Sequence, residues 1–201
     1  MKRLGLAAAA MAAIVLSGTL SGCVAPVGPV EVTRFHLPDT AALGQGTIAV
    51  EPAQGMDGDS LEFRTYAAAV GRQLSLLGYG EMVAGQSDQI ALVHVERRTL
   101  VPGRDGSPVS VGVGGSTGSY GSGVGVGIGL NLSGPPPEQI ETRLSVTIRD
   151  RASGQSLWEG RASFAVKASS PLANSQLGAA KMAEALFTGF PGTSGETIQV
   201  K

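Results

Sequence analysis

The chain switches between two hydrophobic periods. From Gln139 to Asp150 the residues alternate, with Ile140, Thr142, Leu144, Val146 and Ile148 on one side and Glu141, Arg143, Ser145, Thr147 and Arg149 on the other. A period of two means a half-buried strand. The turn DRASGQ follows, and Ser156 to Lys167 returns with Trp158, Ala162, Phe164 and Val166 on its apolar side, which predicts a long antiparallel hairpin. Gln89 to Arg98 is apolar on both faces between Ile90 and Val93 and reads as a central strand. Thr33–His36 and Thr47–Pro52 read as shorter strands, and Thr197–Val200 as a last edge strand.

Elsewhere the period is helical. Phe63, Ala67, Val70, Leu74 and Leu77 recur every four and three residues, predicting a helix over 60–77 with Asp59 as N-cap, Glu62 three positions on, and Gly78 and Gly80 as the stop. A second helix is expected from about Asn174 to Thr188. Its stripe is Ala179, Ala183, Leu186 and Phe190, with Leu177, Met182 and Phe187 beside it. Two helices that each bury one face need a shared platform. The expected fold is therefore α+β: a mixed, mainly antiparallel sheet with both helices packed on one face.

The segment 109–132, VSVGVGGSTGSYGSGVGVGIGLNL, departs from this pattern. Val109, Val111 and Val113 alternate with Ser110, Gly112 and Gly114, and Val124, Val126, Ile128 and Leu130 alternate with Gly123, Gly125, Gly127 and Gly129. This predicts a β-hairpin with one aliphatic face, expected on the core, and one bare face. The bare face at Gly112, Gly114, Gly123, Gly125, Gly127 and Gly129 is a candidate interaction surface for an aromatic, a glycan ring or another backbone. The same composition also suits a low-complexity hairpin without a ligand.

Composition and charge narrow the classes. The chain has 201 residues, 30 of them Gly, with a formal net charge of −1. That balance supplies no basic field for a polyphosphate, so no nucleic-acid partner is expected. At the N-terminus, Lys2 and Arg3 precede an uncharged run from Leu4 to Leu16, shorter than the roughly 20 residues of a spanning helix. Small residues and then Cys23, the only cysteine, follow. The stretch Leu20-Ser21-Gly22-Cys23 resembles the bacterial lipobox. The resemblance implies a signal peptide over 1–22, cleavage before Cys23, and a covalent diacylglycerol and N-acyl chain at that residue. Each buried methylene contributes about 0.8 kcal/mol, so several chains would anchor the protein to the membrane for good. Val24 stands where an Asp tends to retain such lipoproteins in the inner membrane, so the expected location is the outer membrane, facing the periplasm. Residues 24–32, rich in Pro and Gly, read as a tether reaching at most about 30 Å, and 33–201 as a single domain.

Catalytic patterns are thin. Gly114-Gly115-Ser116-Thr117-Gly118 matches G-x-S-x-G, but a hydrolase needs a helix after the serine and a histidine later in the chain, whereas His36 and His94 both precede it. The glycines of 109–132 miss the spacing of the dinucleotide fingerprint. His36 and His94 lie in expected strands without zinc-ligand spacing. Asp57, Asp59 and Glu62 offer too few oxygens for a calcium loop. Glu138 and Glu141 fall on opposite strand faces. Arg97-Arg98 reads as a solvated strand-end pair, and Trp158 as core. No cofactor, metal or small-molecule substrate is expected.

The order of these pieces is itself informative. The lipobox Cys, TIAVEP, the helix TYAAAVGRQLSLLGYG, the strand SDQIALVHV, the late DRASGQSLWEG and the closing ALFTGFPGTSGETIQV are similar to bacterial envelope lipoproteins catalogued as domain of unknown function 4136. That resemblance implies an α+β envelope lipoprotein and supplies no catalytic residues. The expected role is non-enzymatic: an envelope binding or scaffold module. The alternatives are an accessory subunit of an envelope transport or assembly complex, with a stable protein partner, and a hydrolase using Ser116.

Overall fold

The computed structural model describes residues 28–101, 109–118, 121–130 and 137–201, the two middle segments by their backbone alone. The elements in chain order are β1 (Val30–His36), β2 (Thr47–Pro52), α1 (Leu61–Leu76), β3 (Gly80–Glu81), β4 (Gln89–Leu100), β5 (Val109–Gly118), β6 (Gly121–Leu130), β7 (Gln139–Asp150), β8 (Ser156–Lys167), α2 (Ser175–Phe187) and β9 (Thr197–Val200). Seven strands form one mixed sheet in the order β3-β2-β4-β7-β8-β1-β9. Its β2–β3 and β2–β4 ladders are parallel and the others antiparallel. Both helices pack together and against one face, α1 over β2 and β4, α2 over β8 and β1. The α+β expectation holds.

Alternation decides which side of each strand meets the helices. Ala91, Val93 and Val95 of β4, Leu144, Val146 and Ile148 of β7, and Trp158, Ala162, Phe164 and Val166 of β8 are all buried. They meet Phe63, Tyr66, Val70 and Leu74 of α1 and Ala179, Met182, Ala183 and Leu186 of α2 in one core. The β7–β8 hairpin and the interior place of β4 are as the pattern predicts.

Three details differ. β1 begins at Val30, because Val30 and Val32 are fully buried and pair with β9. The segment between Cys23 and the sheet is correspondingly shorter than the expected tether. The N-cap of α1 is Ser60, whose hydroxyl accepts the Phe63 N–H at 3.2 Å; Asp59 instead offers its carbonyl to the Arg64 guanidinium. Leu177 of α2 is exposed rather than beside the core. The expected hairpin at 109–132 is present: β5 and β6 pair antiparallel and, among the described residues, form a two-stranded sheet of their own. After α1, Gly78 takes φ +105°, and a Cβ there would lie 2.9 Å from the Gly44 carbonyl oxygen, so only glycine fits this stop.

Candidate functional site

Among the described residues, no element packs on the face of the sheet opposite the helices, and its side chains follow from the register. Across β4 and β7, Glu96 stands opposite Arg143 and Arg98 opposite Glu141. Along each strand the same charges pair again: Arg98 with Glu96, and Arg143 with Glu141 at 2.8 Å. The four make a checkerboard of opposite charges. The Arg98 hydrogen bond, helped by the charges of Arg98 and Arg143, holds the Glu96 carboxyl below its usual range.

Next to this checkerboard lies a recess of about 340 Å³ lined by Glu31 and Thr33 of β1, Arg143 and Ser145 of β7, and Arg161 and Ser163 of β8. The register places Ser145 opposite Arg161, and Arg161 opposite Thr33. Arg161 is well exposed and lies 3.7 Å from Glu159. Phe35, 43% exposed, stands on the same face opposite Glu159. Three hydroxyls and charges of both signs suit this surface to a polar partner. The surface was anticipated as polar, but its convergence into a recess depends on a strand order that alternation alone does not reveal.

The other candidates fall apart in space. His36 and His94 sit on β1 and β4, with β7 and β8 between them. His36 has ring nitrogens 2.6 Å from the Leu37 carbonyl oxygen and 3.2 Å from that of Gly192. His94 is exposed on the open face. Asp57 accepts the Asp59 N–H as a turn residue, and Glu62 pairs with Arg97 at 3.2 Å. Among the described residues there is no group of three or more His, Cys, Asp or Glu arranged to hold a metal. Glu138 precedes β7, while Glu141 pairs with Arg143. Arg97 corrects the reading of a solvated pair: its guanidinium donates to Ser175 Oγ at 2.9 Å and to the Ala173 carbonyl at 2.6 Å, tying β4 to the start of α2. Trp158 is core, stacked on Phe187 with centroids 5.4 Å apart.

Ser116 lies inside β5 opposite Gly123, followed by β6 and not by a helix. That placement lacks the strand-to-helix elbow that exposes a hydrolase serine. Gly112 stands opposite Gly127, and Gly114 opposite Gly125; Gly123 and Gly129 stand opposite Ser116 and Ser110. Cys23 and the preceding Leu20, Ser21 and Gly22 lie outside the described residues.

Sequence reasoning missed Arg34. It is 4% exposed on β1, and it donates to the carbonyls of Leu186 at 2.9 Å and Ala185 at 3.1 Å, at the C-terminal end of α2. Burial pushes this guanidinium below its usual range, and the charge of Glu196 partly offsets that. Its role is structural: a cation set against the negative end of a helix.

Among the described residues, no helix is long and apolar enough to cross a membrane. Residues 33–192 match the family described as domain of unknown function (DUF4136), and the chain belongs to it. An uncharacterized protein of Zymomonas mobilis is 28% identical over 215 aligned positions, covering 86% of this chain and 80% of that protein. Among solved structures, a PDZ domain protein from Parabacteroides distasonis aligns with TM-score 0.48 at 11% identity, over 86% of this chain. The chain spans only 39% of that protein's length. PelC from Paraburkholderia phytofirmans, solved as a dodecamer, aligns with TM-score 0.41 at 12% identity, over 78% of this chain and 96% of PelC.

Proposed function

We propose that this member of the family is a lipoprotein of the outer membrane, facing the periplasm, that works as a non-enzymatic binding or scaffold module. The observation that carries this reading is Leu20-Ser21-Gly22-Cys23 placed directly behind a charged start and a short apolar run. A thioether-linked glyceride needs a thiol at that point, and Cys23 is the only one in the chain. With β1 starting at Val30, the six intervening residues reach at most about 20 Å. The domain therefore works against the membrane surface, and the recess on the open face is the contact we assign to a protein partner.

Labelled palmitate supplied to growing cells tests the anchor. Incorporation that disappears in Cys23→Ala, with the variant moving from the membrane to the soluble periplasmic fraction, is the expected result. Label that persists in the variant, or an unmodified mature chain by mass spectrometry, would overturn it.

A second reading, an accessory subunit of an envelope transport or assembly complex, is favoured by the exposed Phe35, which stands opposite Glu159 on the same face as Arg161. Aromatic and Arg side chains are the usual anchors of protein interfaces.

A further inference from the structure

A large apolar side chain left in water is ordinary when it stands alone and informative when several gather in one place. Leu61 opens α1 and Leu177 lies in the first turn of α2, both off the stripes that these helices turn to the core. They stay 78% and 52% exposed. Arg97 brings the two helix starts to the same end of the sheet, because its guanidinium pairs with Glu62 at 3.2 Å and donates to Ser175 Oγ at 2.9 Å. β4 ends there too, at Leu100, which is also exposed.

The register brings the chain entry to this end. Leu100 pairs with Gln139, and Gln139 with Lys167, the last residue of β8. β1 runs antiparallel to β8, so its start at Val30 lies toward the end of β8. Val30 pairs with Val200, which places Lys201 there as well. Lys181, one turn after Leu177 on the same side of α2, donates to the Lys201 carbonyl at 2.7 Å. The three lysines that follow Cys23 thus gather where the chain enters, on the α2 side, over β8 and β1. Asp57 and Asp59 belong to the α1 side, over β2 and β4. The opposite end of the sheet also exposes Leu76, Met82 and Val83, but Met82 and Val83 follow Glu81, β4 starts beside Asp88, and no lysine stands there among the described residues.

We propose that this end of the domain rests on a lipid surface, with Leu61 and Leu177 in the headgroup layer and Lys167, Lys181 and Lys201 reaching anionic headgroups around them. A lysine can lay its methylene stem along apolar neighbours while its ammonium stays in the polar layer. The length of chain outside the domain names the occupant. Residues 24–29 reach at most about 20 Å, so acyl chains on Cys23 hold a bilayer within that distance of Val30. In this respect the inference rests on the lipoprotein reading, and it goes further by stating which side chains meet the membrane. The strands then point away from the bilayer, and the recess on the face opposite the helices stays accessible to a partner from the side.

The chain from Cys23 onward keeps every described residue, and Cys23 is its only thiol. Coupling that thiol to maleimide-bearing lipid, in vesicles of phosphatidylethanolamine and phosphatidylglycerol, fixes the entry point without cellular acylation. In Leu61→Trp and Leu177→Trp the new indole should lose emission when the lipid carries bromine near its headgroup. In Leu76→Trp and Val83→Trp it should not, and the buried Trp158 gives the same background in every variant. A Gly/Ser insertion of about 20 residues after Pro26 loosens the tether. Quenching in the Leu61 and Leu177 variants should survive that insertion, because the contact belongs to the rim and is not closeness imposed by a short tether. Lys167→Glu combined with Lys181→Glu should reduce the quenching that survives. Unchanged thermal midpoints separate a lost contact from misfolding. Quenching in none of the tryptophan variants, in all of them alike, or only on the short tether would overturn the proposal. Palmitate on Cys23 in cells without quenching in the Leu61 and Leu177 variants would keep the anchor and sink the rim. Quenching in those variants on the coupled vesicles, with no palmitate added in cells, would sink the anchor and uphold the lipid contact.

Discussion

The indole of Trp158 lies across the Cα of Gly160, two residues ahead on the same face of β8, and fills the space a side chain at 160 would need. A Cβ built on Gly160 would clash with Cη2 of that ring, and would sit 2.8 Å from its Cζ2 and 2.8 Å from Cδ1 of Leu186. The ring is held from its other edge, since Nε1 donates to the Pro191 carbonyl at 2.9 Å, and it packs on Phe187 and Phe190. It has nowhere to retreat. Gly160→Ala is therefore expected to destabilise the domain by about 1–3 kcal/mol, the range for overpacking a filled core. A lowered urea midpoint with an unchanged slope checks this. An unchanged midpoint would show that the ring yields.

Arg34 closes α2 from inside the sheet. Arg34→Met keeps much of the apolar stem but leaves the Leu186 and Ala185 carbonyls without their cationic donor. The expected loss is about 2–3 kcal/mol, the usual scale for buried hydrogen bonds to a charged group. Faster hydrogen exchange should be confined to the last turn of α2 and the Gly192–Gly195 loop, where Gly195 N–H donates to the Arg34 carbonyl. Arg34→Lys should recover only part of the loss, because an ammonium cannot reach both carbonyls as a fork does.

Acid should weaken the domain modestly through two turn carboxylates. Hydrogen bonds from the Thr47 hydroxyl and backbone N–H hold Asp88 below the ordinary Asp value of 3.8. The Ser153 hydroxyl and N–H do the same for Asp150. A depressed folded value means that the unfolded chain takes up protons first as the pH falls. The contribution is complete above about pH 5, where the unfolded carboxyl is fully ionised, and fades as the pH drops through the folded value. The urea midpoint of the native protein should fall between pH 5 and 2. Thr47→Val, which removes the hydroxyl donor, should raise the Asp88 titration seen by NMR and flatten that fall.

Legibility followed contrast between the two faces of each element. β7 and β8 could be read nearly residue by residue, because Leu144, Val146 and Ile148 on one strand and Trp158, Ala162, Phe164 and Val166 on the other alternate with mostly polar positions. The start of α1 was off by one because Asp59 and Ser60 are both good caps, and only the Phe63 N–H, bonded to Ser60, decides between them. Arg34 was invisible for a different reason. Its face of β1 is set by Val30 and Val32, and a charge there is stable only because α2, more than 150 positions later, ends above it. The recess has the same origin: Glu31, Arg143 and Arg161 meet through the strand order β7-β8-β1, a tertiary fact.

If the open face is the docking surface, its two sides should behave differently in living cells. A photo-crosslinking residue at Ser163, inside the recess, should capture one discrete protein. The same residue at Arg72, exposed on the helical side, should capture none. Arg161→Glu should weaken the Ser163 adduct, because it places a third carboxylate beside Glu159 and Glu31 and turns the rim of the recess negative. It should leave stability nearly untouched, since an exposed pair at this separation contributes at most about 1 kcal/mol. Capture from Arg72 but not from Ser163 would move the partner to the helices. Loss of the adduct together with a lowered thermal midpoint would mean that Arg161 supports the sheet rather than the contact.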